Sequence, residues 1–207
     1  MSSPAKNADQ RVARGDATRS QIVAAARHVL AADGYSGTST RAVAERAGVQ
    51  LSLVHYHFGG KSGLLTAVLE AENARLLERQ QKLFAGPEPL AEKWRTACKY
   101  LQEDLRSGYV RILWELWAAG LTDAELARLW RDAMAGWRLL LEKVVEQWAA
   151  DRAIVLPMPP SEIATLVGNA FQGAEVEILA GVSEDEAPHL EALEAVAGLI
   201  EHLEARS

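Results

Sequence analysis

Apolar residues in this chain recur every three or four positions from Ile22 to Leu203 and nowhere alternate every second one. That period keeps one face of an α-helix dry, and its persistence leaves no segment for a half-buried strand. Ile22, Ala25, Ala26, Val29 and Leu30 set the pattern in a first helix, opened by the capping-box form Thr18-Arg19-Ser20-Gln21 and closed at Gly34. Thr38-Ser39-Thr40 offers caps for a second helix, Arg41 to Ala47, which stops at Gly48; a third, from Gln50 to His57, stops at Gly59-Gly60. A longer helix is expected from Lys61 toward Phe84, roughly 36 Å at the usual rise. Gly86-Pro87-Glu88-Pro89 ends it, and further helices are expected at about 90–105, 109–119, 122–151, 161–179 and 185–205, with Thr122-Asp123-Ala124-Glu125 as another capping box. The expected fold class is all-α, with about nine helices.

The 207 residues are enough for one large domain or two small ones with a core that needs no staples. The single cysteine, Cys98, closes no intrachain disulfide, and the amino terminus leads into polar residues, so a cytoplasmic address is expected. No stretch approaches the roughly 18 apolar residues of a membrane span. Net charge is −6, from 28 acidic and 22 basic side chains, which taken alone argues against nucleic acid. The distribution reverses that argument, because residues 1–62 carry 8 Lys and Arg against 4 Asp and Glu. A basic head on an acidic body still binds a polyanion, since local cation contacts release counterions from phosphates. Residues 1–15, with Lys6, Arg11 and Arg14, read as a mobile basic arm.

The second and third helices, joined across Gly48, carry the sharpest information. A helix-turn-helix needs a small residue where its helices cross, a turn residue tolerant of positive φ, and an apolar anchor in the second helix. Ala44, Gly48 and Val54 supply these, with Val43, Ala47 and Val49 pointing inward beside them. Leu51, Ser52, Leu53, His55, Tyr56 and His57 are then left outside, on a short helix suited to a major groove. The plain alternative is an αα-corner in a helical bundle. His55 and His57 could also suggest a metal pair, but two residues apart on a helix they face different ways, with no Cys or acidic cluster near, so neither metal nor cofactor is expected.

The run Thr38-Ser39-Thr40-Arg41-Ala42-Val43-Ala44-Glu45-Arg46-Ala47-Gly48-Val49, followed by Val54-His55-Tyr56-His57-Phe58 and Lys61, closely resembles the tetracycline-repressor (TetR) family of bacterial transcription regulators. The resemblance covers about the first third of the chain by motif, and the helix count and length agree over the rest. It implies a DNA-binding domain at 16–62 and a larger helical domain at 63–207 for ligand binding and dimerisation. It also implies a homodimer that holds a palindromic duplex operator and leaves it when a small molecule binds. By the same resemblance Thr40 and Arg41 lie near phosphates, as a helix amino terminus and a guanidinium favour. Leu51, Ser52 and His55 fall at base-reading places, and Leu53, Tyr56, His57 and Lys61 at backbone-contacting ones. Leu51 and Leu53 stand where polar or small residues are common in the family, and leucine offers only apolar contact, for instance to a thymine methyl.

All six tryptophans lie past residue 93. Trp94, Trp114, Trp117 and Trp137, with Tyr100, Met134 and Phe171, come from successive helices that could surround one pocket for an apolar or aromatic effector, and Glu175, Glu115, Asn169 and Gln172 could supply polar contacts. For any one of them the alternative is an ordinary core or surface anchor. Cys98, at helical spacing from Trp94 and Leu101, reads as a small core residue rather than a redox sensor. On the last two helices, Leu166, Ala170 and Ala174, and Leu193, Val196 and Ile200, trace apolar faces that would pair about a two-fold axis; intramolecular packing is the alternative. Catalysis finds no support in a phosphate loop, HExxH, CxxC or nucleophile motif, so no enzyme is expected. Two other readings stay open: a helical small-molecule carrier or enzyme with an incidental helix-turn-helix, and a DNA-binding scaffold whose body holds a protein.

Overall fold

A computed structural model describes residues 4–205, and side chains from residue 13 onward. Among the described residues there are nine α-helices and no strand: α1 Pro4–Gly37, α2 Thr40–Ala47, α3 Leu51–Phe58, α4 Lys61–Ala85, α5 Leu90–Arg106, α6 Tyr109–Gly120, α7 Ala124–Asp151, α8 Pro160–Leu179 and α9 His189–Glu204. The all-α expectation and most helix limits hold. The first helix differs. It begins at Pro4, a residue suited to an opening turn, and Thr18 lies in its middle with the hydroxyl donating to the Arg14 carbonyl (2.9 Å) instead of capping an end. Backbone from Pro4 to Gly15, set apart above as an arm, is thus continuous with α1; the side chains of Lys6 and Arg11 fall outside the described residues. α7 likewise opens on Asp123, whose Oδ1 accepts the Glu125 and Leu126 amides (3.0 and 3.2 Å), while Thr122 donates to the Ala119 carbonyl. Those amides hold the Asp123 carboxyl below its ordinary pKa.

The chain divides into two compact units, Met1–Glu72 with Glu115–Leu129, and Asn73–Trp114 with Trp130–Ser207. The first is built on the helix-turn-helix. Ile22, Ala26 and Leu30 of α1 pack with Val43 and Ala44 of α2, Val54 of α3, and Leu64, Leu65 and Val68 of α4, all buried. Gly34 breaks α1 with φ 69°, and the turn after it is tied by the Thr38 hydroxyl donating to the Gly34 carbonyl (2.7 Å). From α1, the Gln21 amide donates to the Ala47 carbonyl (2.7 Å) and fills one acceptor left open at the end of α2.

The second unit packs α5 and α8 against α9. Trp94, Cys98, Leu101, Trp148, Ala174, Leu193, Ala197 and Ile200 share one buried cluster, with Val196 against its edge. Trp94 donates from Nε1 to the Leu193 carbonyl (2.6 Å) and Trp148 to Glu204 (3.0 Å), so two of the tryptophans pin α9. Of the expected pairing face, Ala174, Leu193 and Ile200 are buried inside the chain, whereas Leu166 and Ala170 are exposed. The apolar face left open keeps those two on α8 and lies on another side of α9. On α8 it holds Leu166 (57% exposed), Ala170, Gly173 and Val176, and on α9 Ala192, Ala195, Leu199 (65%) and Leu203.

Candidate nucleic-acid interface and ligand cavity

Local sequence sets the recognition geometry. Ser39 caps α2, its Oγ accepting the Ala42 amide (3.1 Å), and Gly48 takes the left-handed conformation (φ 65°, ψ 32°) that turns the chain into α3. Val54 is fully buried beneath α3, which fixes the helix's rotation. Ser52, Leu53, His55 and Tyr56 are therefore exposed, Tyr56 by 81%, while Leu51 and His57 are half-buried at the flanks. Gln50, exposed at the N-cap of α3, brings an amide that reads base edges well and that the sequence reading passed over; its place just before the helix was the available signal. Thr40 is half-buried and Arg41 exposed at the start of α2, with Arg46 exposed in its last turn. No group of three or more metal-ligating side chains occurs among the described residues.

Gly59 (φ 72°) and Gly60 (φ 156°) lead α3 into α4, and a Cβ at Gly63 would lie 2.1 Å from the Phe58 carbonyl oxygen, so this turn admits only glycine there. Lys61 does more than the phosphate role assigned to it. Its Nζ donates to the Tyr35 carbonyl (2.7 Å) and lies 4.4 Å from the centre of the Tyr35 ring, fixing the corner after α1. The Tyr35 amide in turn donates to Glu115 Oε2 (2.5 Å), and Ser62 donates to Asp123 (3.1 Å). Glu115 thus serves the first unit, not a ligand pocket.

In the second unit, α4 to α8 line a partly open cavity of about 110 Å³. Of the residues expected there, Trp94, Met134, Trp137, Phe171, Gln172 and Glu175 line it. Trp114 stands behind the lining, donating from Nε1 to Glu175 (3.0 Å) with its ring 5.7 Å from that of Trp130. Tyr100 lies on the guanidinium of Arg79 (4.3 Å) in a separate shallow groove, Trp117 belongs to the first unit, and Asn169 is exposed. Trp130, Tyr109, Gln80 and Asp104, not among the residues expected there, also line the cavity. Trp130 and Tyr109 were visible as aromatics at helical spacing, whereas a Gln and an Asp inside an apolar wall leave no periodic trace.

The cavity is apolar with a few polar groups. Asp104 is buried and receives both guanidinium nitrogens of Arg79, with Arg75 at 4.0 Å. Burial pushes the Glu175 carboxyl up to about 7, the Trp114 N–H partly offsetting this and the charge of Asp104 adding to it. Cys98 is buried, and desolvation with nearby Glu194 raises its thiol to about 11, so it rests as a packed thiol.

Residues 22–68 match the family described as bacterial regulatory proteins, tetR family. Along most of its length the chain shares the fold of solved regulators. A TetR-family transcriptional regulator from Pectobacterium atrosepticum is 26% identical, with a TM-score of 0.69 over 91% of this chain and 94% of that one. A TetR transcription regulator from Haloarcula marismortui is 17% identical (TM-score 0.74, 89% and 96%), and the reduced form of NemR from E. coli 19% (0.71, 87% and 94%). No curated protein gives a significant sequence match. Fold and interface together define a DNA-binding helix-turn-helix regulator. Its amino-terminal domain is that of the TetR family, and the rest of the chain carries that family's fold. No helix among the described residues is long and apolar enough to cross a membrane.

Proposed function

We propose that the chain is a ligand-responsive transcriptional repressor, not an enzyme, which binds a palindromic operator in the cytoplasm as a homodimer and is released when a small molecule enters the cavity of its second unit. The observation that carries this reading is the cavity itself: a chain whose body served only to dock a protein would gain nothing from aromatic walls around a half-buried, hydrogen-bonded carboxylate. Contacts to DNA would come from Thr40, Arg41, Leu53, Tyr56, His57 and Lys61 to the backbone, and from Leu51, Ser52 and His55, with Gln50, to base edges. Two half-sites require two heads, and the open apolar strip on α8 and α9, with small residues that allow close approach, suits a four-helix pairing of two copies.

α6 supplies a route for the signal. Trp114 donates to the cavity carboxylate, and its neighbour in sequence, Glu115, accepts the Tyr35 amide beside Lys61. A ligand that re-aims Glu175 turns Trp114, and with it the residue that holds the corner of the DNA-binding unit. The experiment is selection of duplexes from a random pool by the purified protein, followed by binding titrations of the winners with Ser52→Ala and His55→Ala. An inverted repeat whose preferred bases change in these variants supports the reading; binding without sequence preference contradicts it.

A further inference from the structure

Two acceptors in the cavity wall, on Gln80 and Glu175, have room for a donor. Gln80 on α4 is 4% exposed, and among the described residues its side-chain oxygen has no hydrogen-bond partner. Glu175 on α8 receives the Trp114 N–H, and among the described residues no Lys, Arg or His forms an ion pair with it. Asp104 on α5 is met by Arg79 and Arg75 from α4, which leaves the exposed Arg138 on α7 as the other charge of the wall. The donor of Gln172 is directed at the Met134 sulfur (3.1 Å). The walls between these groups are faces of Trp94, Trp130, Trp137 and Phe171.

We propose that the effector is a hydrophobic cation bearing N–H donors, an arylalkyl amine or guanidine, whose charged end pairs with Glu175 and donates to Gln80 while its apolar part lies among the tryptophans. The inference rests on the ligand-responsive reading above and adds the ligand's class. An anionic ligand would meet the ionised Glu175 with like charge and find one lining cation free of Asp104, the exposed Arg138, while a purely apolar one would leave the Gln80 oxygen buried and unpaired. A cation removes both costs and gains from the aromatic faces. The raised Glu175 carboxyl adds a signature: since the cation selects the ionised form, its affinity rises as pH rises through about 7.

The test uses the intact protein and three probes of one shape: biphenylmethylguanidinium, which stays charged throughout, the neutral biphenylmethylurea, and anionic biphenylacetate. Binding is read from tryptophan fluorescence and checked by calorimetry, and operator affinity is read separately. The guanidinium is expected to bind at least tenfold more tightly than the urea. Its affinity should rise about tenfold from pH 6 to 8, following ionisation of one carboxyl. Glu175→Gln should abolish the pH dependence and most of the preference over the urea. Equal affinity for the three probes, preference for the acetate, or a flat pH profile in the native protein overturns the proposal, and the last does so even if the variant fails to fold. The readouts also separate the two ideas. A urea or acetate that binds and releases DNA overturns the ligand class while the regulator reading stands. A guanidinium that binds with the expected selectivity without changing DNA affinity supports the class and contradicts the release mechanism. If no probe binds, the proposed class falls.

Discussion

Lys61 holds a structural place that leaves room for the proposed phosphate contact. Its ammonium has three donors, one of which goes to the Tyr35 carbonyl, so a phosphate can take another without breaking that bond. Lys61→Met keeps the stem but removes the charge. Operator binding by this variant should weaken about equally on all sequences, and the slope of log affinity against log salt should fall by roughly one. A lower melting temperature with an unchanged slope would confine Lys61 to its structural role. Cys98 gives a second residue-scale prediction: a buried thiol with its pKa raised to about 11 is almost wholly protonated at pH 7, so iodoacetamide should label the native protein far more slowly than the unfolded one. Matching rates would contradict its packing. The sequence revealed Val54 as an anchor because burial beneath a short helix leaves a periodic mark. Gly63 left none, since close approach to the Phe58 carbonyl is a property of the turn and not of the pattern.

Among the elements, the helix-turn-helix was legible because each of its parts needs a particular residue type: a serine cap at Ser39, a left-handed glycine at Gly48, a small residue at Ala44. α9 was harder to read. Leu193, Ala197 and Ile200 line one side and Ala192, Ala195, Leu199 and Leu203 another, both apolar, and periodicity does not tell which side the rest of the chain covers. The same limit put Trp117 and Tyr100 in the expected pocket, because an aromatic at helical spacing is apolar without having an address. α4, which runs unbroken from Lys61 to Ala85, carries both Lys61 and the cavity glutamine Gln80. Ala74 is exposed in its middle, so Ala74→Pro removes one backbone donor and clashes with the carbonyl four residues earlier without opening a core, at a cost of roughly 3 kcal/mol. This variant should still bind operator DNA and cavity probe, each more weakly, while the effect of one on the other shrinks. Undiminished coupling in a folded Ala74→Pro protein would show that α4 does not carry the signal and leave α6.

For the whole molecule, assembly depends on which face of α8 and α9 is free. Glutamate at exposed Leu166 and Leu199 should give a folded monomer, since a charge placed in an apolar interface without a partner opposes pairing but costs the single chain little. Glutamate at buried Leu193 and Ile200 should instead unfold the second unit. Light scattering and circular dichroism on the two double variants separate these outcomes, and an intact dimer in the first would move the interface elsewhere. Operator affinity should fall with the loss of the dimer, because one head holds only a half-site. On the proposed mechanism, occupancy of the cavity sets DNA affinity. The deciding measurement is the anisotropy of a labelled selected operator titrated with protein, with and without a concentration of biphenylmethylguanidinium that saturates the tryptophan signal. A rise in the operator dissociation constant of about 100-fold, equivalent to roughly 2.7 kcal/mol of coupling, is predicted, together with an equal loss of probe affinity when operator is present. Identical operator binding curves with the cavity empty and filled would contradict it.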